Sequence, residues 1–543
     1  MKTINLIKKL MLALPITLLV SCHDDLDQDP KIDPNNFTEN DVFANADEAR
    51  GAIAKLYASL ALTGQEGPSG KPDITSIDEG TSQYSRMLFN LNELTTDNAV
   101  VSWGDPGLPD LHAMNWEAGN IFTTAMYYRL AQEVSFCNSF INNAESLSDN
   151  SEVGYYIAEA RFLRAFAYYN LIDLYANIPI VTEVSTALPA QNSREEVFDF
   201  VESELLDIQD QLKESGANEY GRVDRVAAWA LLSKLYLNAE TWVNEDRYTD
   251  AIAYAQQTIN SSYAINTTDA NGNGSAYDEL FLADNNSNGA QKEFIFVLNF
   301  DGNNSRTYGG TSFLVHAAIG GSMTASDYGV NGGWEGLRTT KALVSKFDYA
   351  ITETDEDGNP IAWSDRRAMF YTDGQNLEIN TIANTFSDGY AVVKFSNIDS
   401  QGNSGSDEAG NFTDTDLPLI RLADIYLVYA EAVTRGGSGG DLQTATNYIN
   451  ELRERAFGNN TGNISSSDVN LDLILNERAR ELYWEGQRRT DLIRFNKFTS
   501  ANYLWPFKGG IRPGTSVSEY REIFPLPSNI ISINPNLTQN SGY

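Results

Sequence analysis

Cysteine is almost missing from this 543-residue chain, which holds only Cys22 and Cys137. Once Cys22 is committed to the processing described below, Cys137 stands alone and no disulfide can form within the chain. Histidine is nearly as scarce: His23, His112 and His316 lie far apart and lack the paired spacing of a zinc site, so no histidine-held metal is expected. Positive charge is short too, with 38 Lys and Arg against 74 Asp and Glu. The formal net charge is −36, and about −39 without Lys2, Lys8 and Lys9 of the leader, a field that repels nucleic acid and anionic lipid and leaves neutral ligands. The signatures GxxxxGKS/T, GxSxG and HExxH are all absent. A glycosidase is not excluded this way, because it needs only two suitably spaced carboxylates. Long apolar runs are limited to Leu10–Val20, which is too short to span a bilayer.

That short run has a cationic start in Lys2, Lys8 and Lys9, the pattern of an export signal. Leu19-Val20-Ser21-Cys22 resembles the lipobox of bacterial lipoproteins, in which the cysteine becomes the lipidated first residue. Cys22 is therefore expected to be a lipid anchor, since chains burying methylenes at roughly 0.8 kcal/mol each hold a protein on a membrane without a spanning helix. The following His-Asp-Asp-Leu-Asp resembles acidic surface-export signals of Bacteroidetes lipoproteins, and points to the outer face of the outer membrane. A plain solvated linker is the alternative. Residues 1–21 thus read as a signal peptide, 22–40 as a lipidated acidic linker and 41–543 as one domain.

Within that domain two helical regions, about 41–260 and 417–495, flank a loop-rich insertion at about 261–416. From Glu152 to Tyr175, Ile157, Ala160, Leu163, Ala167, Leu171 and Leu174 recur at three and four, which predicts a helix with one apolar face. Similar patterns predict helices at Asp41–Leu60, Ile121–Ala144, Arg194–Leu212, Val223–Ala239, Tyr248–Asn260, Leu422–Val433, Leu442–Ala456 and Leu471–Glu485, the last ended by a left-handed Gly486. Trp229, Leu232 and Tyr236, followed by Tyr248, Ala251 and Ala255, have the spacing of a tetratricopeptide repeat. Leu422, Ile425 and Tyr429 with Ala445 and Ile449 form a weaker second copy. The expected fold is all-α, a scaffold of tetratricopeptide-like helical pairs carrying an irregular ligand-binding region. Cys137, at helical spacing from apolar neighbours, reads as a buried small hydrophobe.

The insertion is rich in Gly, Asn, Asp and Ser, with a strand-like run at Glu293–Asn299, and Thr63–Asn120 is similarly loopy. Such loops carry function on a rigid support. Sugars present C–H groups on ring faces and hydroxyls around the edge, so a binder needs flat aromatic surfaces and bidentate polar groups. Three candidates sit among glycines: Trp103 in VVSWGDPG, Tyr308 in SRTYGGTSFLV and Trp334 in GVNGGWEGLR. FLADNNSNGA offers Asp284 and amide oxygens to calcium, but lacks the carboxylate density of an EF-hand loop and reads as a turn without an ion.

Four ordered motifs close the chain: LPLIRLADIYLVYAEA (Leu417–Ala432), INELRERA (Ile449–Ala456), LILNERARELYWEGQRRTDLIRF (Leu473–Phe495) and FPLPSNIISINPNLTQNSGY (Phe524–Tyr543). With EARFLRAFAYYNLIDLY (Glu159–Tyr175) they resemble the SusD/RagB family of nutrient-binding outer-membrane lipoproteins, along nearly all of the mature chain and most of all its starch-binding founder. The resemblance implies a helical scaffold docked as a lid on a SusC-like TonB-dependent transporter, binding oligosaccharides without cutting them and using no cofactor. The founder's aromatic arc for helical malto-oligosaccharides aligns with Trp103, Tyr308 and Trp334, and its polar contacts with Asp78 and Arg86 in DEGTSQYSR. Its second tryptophan is Val101 here and its asparagine falls at Pro106, beside Asp105, which offers an acceptor instead. Starch and laminarin-type β-1,3-glucan both curl and both stay open. A surface glycoside hydrolase is the rival class, as is a binder of anionic alginate or pectin through Arg86, Arg306 and Arg338. Glu477, Arg480, Glu481, Glu485, Arg488, Arg489 and Asp491 alternate in sign at near-helical spacing, as an internal ion-pair network would.

Overall fold

The computed structural model describes residues 42–543 apart from Ser69 and Ser76, so the proposed anchor Cys22 lies outside the described residues. The longer helices are α1 (Ala46–Ala61), α2 (Tyr84–Asn92), α3 (Ile121–Ala144), α4 (Ser151–Tyr175), α5 (Arg194–Ile208), α6 (Arg225–Leu237), α7 (Tyr248–Ile259), α8 (Gly310–Ala317), α9 (Leu422–Thr434), α10 (Leu442–Phe457), α11 (Leu471–Leu482) and α12 (Arg488–Arg494). Among the described residues, sheet is confined to two-stranded ladders, so the fold is all-α as expected. Short polar side chains start the helices by accepting orphan N–H groups: Asn120 for α3, Asn150 for α4, Asp224 for α6 and Asp441 for α10, with a Ser193–Glu196 capping box on α5. No helix among the described residues is long and apolar enough to cross a membrane.

Consecutive helices pair: α3 with α4, α6 with α7 and α9 with α10, while α7 packs on α9 to join the two regions across the insertion. The repeat-like residues lie at these seams, where Leu232, Tyr236, Ala251, Ala255, Ile425, Tyr429, Ala445 and Ile449 are all buried. Helix α4 departs from the expected single apolar face, for from Phe162 to Tyr175 every residue but Tyr169 is buried. It is covered by α1, α3 and α5, so its polar positions are enclosed and partnered: Arg164 bonds Glu204 and Asn138, and Asp173 accepts from Arg489. Cys137 on α3 is fully buried and its thiol donates to Glu133 at 3.5 Å.

Strand β2 (Phe294–Leu298) was anticipated; its partner β4 (Leu417–Arg421), which the sequence pattern places in the helical region, was not. The two run antiparallel with two register irregularities, and every residue of both is buried, so no apolar–polar alternation marks them. Helix α11 stops at Leu482, three residues early, because Trp484 turns left-handed at φ 66°; Gly486 is left-handed too but belongs to the loop before α12.

The expected ion network is present and wholly interior. Arg421 at the end of β4 meets Glu293 at 2.9 Å, Glu481 at 2.6 Å and Glu485 at 2.7 Å, while Arg455 meets Glu293 at 2.6 Å and also Glu481. Arg367 of the insertion reaches Glu477 at 2.7 Å, Arg488 reaches Asp97 at 2.7 Å and Arg489 reaches Asp173 at 3.0 Å. Burial pushes the Glu481 carboxyl up, but Arg455, Arg421 and Arg367 together hold it down at about 2. The C-terminal strand of chain closes on the start of the scaffold: the Phe524 N–H donates to the Leu174 carbonyl at 2.8 Å and the Asn540 amide to the Tyr175 carbonyl at 2.9 Å.

Candidate functional site

Two residues of extended chain on each side assemble the first pair of rings. Strand β1 (Val100–Val101) runs antiparallel to β3 (Leu337–Arg338), pairing Val101 with Leu337, and the Ser102 N–H extends the ladder to the Gly336 carbonyl at 2.9 Å. Trp103 is thereby delivered beside Trp334, and its indole N–H donates to the Trp334 carbonyl at 2.9 Å. The ring centroids are 6.5 Å apart. A Cβ on Gly336 would stand 2.5 Å from the Trp103 ring, so this glycine serves close approach and not an unusual backbone angle. Val101 is 1 % exposed, so its side chain is turned into the core.

The third ring arrives on the N-terminal end of α8. Tyr308 precedes Gly309 and Gly310, and its centroid lies 6.3 Å from that of Trp334. Gly310 sits at φ 56° with the Phe300 ring where a Cβ would go. The three rings therefore form one series, Trp103–Trp334–Tyr308, with successive planes turned by 43° and 53°, so they do not lie flat in one sheet. All three are half-buried. The His316 imidazole stacks on Trp334 at 4.8 Å and 14°, its two nitrogens held by the carbonyls of Gly332 and Asn411, while Phe313 and Phe412 brace Trp103 and Tyr308 from within.

Gln83, fully buried, ties this platform to α2. Its side-chain oxygen accepts from the Arg86 N–H at 2.8 Å, the Ser85 hydroxyl at 2.9 Å and the Gly310 N–H at 3.1 Å, and its amide donates to the Leu60 and Ala61 carbonyls. Arg86, one turn on, lies over Phe313 at 4.7 Å and Trp103 at 5.8 Å. Its Nη1 donates to the carbonyls of Gly80 and Tyr308, and its Nε has no partner among the described residues. Burial draws the Arg86 pKa down to about 10, against the opposing fields of Asp105, Asp78 and Glu79, so it stays charged at neutral pH. Asp78 and Asp105 are both exposed; Asp78 also caps the turn at Gly80 through a 3.0 Å bond.

All six candidate residues thus fall in one neighbourhood around Arg86 and Trp334. Two alternatives fare differently. Arg338 cannot join Arg86 and Arg306 in a positive pocket, because it is fully buried and its guanidinium is taken by the carbonyls of Thr385, Asp388 and Ile382. The Asp284 carboxylate is occupied by Ser400, through its N–H at 3.0 Å and its hydroxyl at 2.6 Å. Gln83, Phe313, His316 and Phe412 were not anticipated; the place of Gln83 just before the helical stretch Tyr84–Asn92 is the one signal that marks it, as a helix start.

Comparison with known proteins bears on the chain as a whole. Family models match over residues 366–543, described as the SusD family, and over residues 50–237, described as starch-binding associating with outer membrane. The chain is 36% identical to the starch-binding protein SusD of Bacteroides thetaiotaomicron, with all of both chains covered. It is 22% identical to SusD-like protein P25 of Formosa agariphila, covering 96% of this chain and 97% of that one. Among solved structures, a SusD homolog from Bacteroides thetaiotaomicron superposes with a TM-score of 0.70 at 19% identity, over 92% of this chain and 97% of that one. Surface glycan-binding protein A from Bacteroides uniformis gives 0.67 at 20%, over 91% and 99%. With full-length identity to one relative and the same helical fold in others, this chain belongs to the SusD family.

Proposed function

We propose that the protein is a lipid-anchored receptor on the outer face of the outer membrane, held by Cys22, that captures a neutral, curved glucan of the starch or laminarin type and passes it to a SusC-like TonB-dependent transporter. The observation that carries this reading is the series Trp103–Trp334–Tyr308, whose rings adjoin with their planes inclined to one another, as stacking on a curved saccharide requires. Sugar faces stack on these rings, the half-buried guanidinium of Arg86 donates to hydroxyls, and Asp78 and Asp105 accept from them. The name of the 36% identical relative favours starch. The inward Val101 supplies no further ring, and the burial of Arg338 removes the strongest support for an anionic glycan. The protein binds and does not hydrolyse.

Native gels containing amylopectin, laminarin or alginate test this. Retardation by amylopectin or laminarin, abolished in Trp334→Ala, is expected. Retardation by alginate alone, by none of the three, or a rise of reducing ends on incubation overturns it. Co-purification of a barrel-sized transporter with the tagged full chain tests delivery.

A further inference from the structure

Tyr220 is an aromatic that the ring series does not use. It is 38% exposed, yet its hydroxyl is fixed, donating to the Asp416 carboxylate at 2.9 Å. The other Asp416 oxygen accepts from the Phe300 N–H at 2.7 Å, and the Phe300 ring lies against Gly310, two residues beyond Tyr308. Tyr220 is thereby held to the same support as the third ring. It also repeats the local pattern of the platform. Gly221 follows it at φ 84°, and a Cβ there would stand 2.4 Å from the Asn299 amide, so a glycine again admits a close neighbour beside an uncovered ring.

The surface between the two tyrosines is concave. Tyr220 and Asn299 line a hollow of about 300 Å³ against α1, and Ala58 and Leu62 at the end of that helix line both it and a second hollow of about 380 Å³ that includes Arg306. Arg306 in turn lies over Phe412 at 5.8 Å, and Phe412 lies against Tyr308 at 5.2 Å, so the trench reaches the ring series. Its charges are mostly paired: Arg50 with Glu219 at 2.8 Å and Lys55 with Asp73 at 2.8 Å. By contrast the exposed amides of Asn299 and Gln65 and the exposed Arg306 guanidinium make no hydrogen bond or ion pair among the described residues. An open ring face beside unspent amide and guanidinium groups suits a neutral polyhydroxyl chain. We propose that Tyr220, Asn299 and Arg306 form a second saccharide subsite, and that a glucan seated on Trp103, Trp334 and Tyr308 runs on past Arg306 and the end of α1 to stack on Tyr220. This rests on the glucan reading above and extends it from a short stretch of sugar to a polymer. Once the rings hold the chain, its arrival at Tyr220 is intramolecular, so the second contact raises affinity for long chains alone.

The test sets a polymer against its own tetrasaccharide on the purified full chain, amylopectin with maltotetraose and laminarin with laminaritetraose. The tetrasaccharide is short enough to sit on the three rings, so Tyr220→Ala, Arg306→Ala and Asn299→Ala should leave its affinity, read by titration calorimetry, at the parental value. Retention in gels holding the polymer should weaken about tenfold in Tyr220→Ala and about threefold in each of the other two. Trp334→Ala should abolish both. Asn299 and Arg306 make no bond within the chain that their loss could break, so those variants keep the test open should Tyr220→Ala fail to fold. Polymer retention unchanged in the variants, or polymer and tetrasaccharide affinity falling together, overturns the second subsite and leaves the ring series standing. A parent that binds neither polymer nor tetrasaccharide overturns the ring series and this subsite with it.

Discussion

The indole nitrogen of Trp103 is bonded to the backbone carbonyl of Trp334, 231 residues later, at 2.9 Å. Two platform rings are therefore locked to each other and not merely adjacent, and a change to one is felt by the other.

Gly336→Ala should disable the platform without touching a ring. Its Cβ would meet the Trp103 ring at 2.5 Å and displace it. Loss of one stacked aromatic anchor is worth about 2 kcal/mol, or roughly thirtyfold in glucan affinity. Affinity electrophoresis with circular dichroism as a fold control measures this, and parental affinity in the variant would refute it.

Gln83→Ala should cost both stability and binding. It strands the Arg86 and Gly310 N–H groups at once and frees two carbonyls at the end of α1. A drop of about 1–3 kcal/mol in urea unfolding is expected, with weaker glucan retention because α2 and α8 lose their common tie. Stability lost with retention intact would show that the tie does not position Arg86 and Tyr308.

Much of this was legible beforehand, and the failures have physical causes. The boundaries of α3 were readable to the residue because periodicity and the Asn120 cap agree. Helix α2 escaped notice because its cap is a glutamine and, at nine residues, it is too short to establish a period. Strand β4 was hidden by its continuous run of buried residues, which cannot be told from buried helix by pattern alone. The rings were found by their glycine neighbours, and Gly336 turns out to permit close contact with the Trp103 ring. What no spacing encodes is the pairing of β1 with β3, a contact between residues more than 230 apart, and it is this that brings Trp103 to Trp334.

Glu481→Gln should unfold the protein far more readily than any surface change. The carboxylate meets Arg421 at 2.6 Å, Arg367 at 3.1 Å and Arg455, all buried. Removing one member leaves uncompensated buried charge, a loss of about 3–5 kcal/mol. Denaturant titration of the full chain reads it, and a loss under about 1 kcal/mol would mean the network contributes little.

Stability should peak in mildly acidic solution. Burial raises the carboxyls of Glu93, Glu133 and Asp416 to about 7. A group raised in this way gives its full contribution below its unfolded value of about 4, and loses it as pH climbs through 7. Glu431 and Asp97 behave oppositely: burial pushes them up, but Arg494 and Arg488 respectively hold them at about 2, as Glu481 is held. Their contribution is present above about 4 and vanishes as pH falls toward 2. Scanning calorimetry in EDTA should find the midpoint rising from pH 8 to about 5 and collapsing below about 4. A midpoint highest at pH 8 would contradict the first set, and one still rising at pH 3 the second.

Asn540 and Phe524 fasten the final residues onto the end of α4, laid down some 365 positions upstream. A nascent polypeptide halted before Phe524 lacks the clasp on the end of α4, so that helix end is sealed only after residues 524–540 have been made. Closure of that early layer thus waits on a partner made hundreds of residues later.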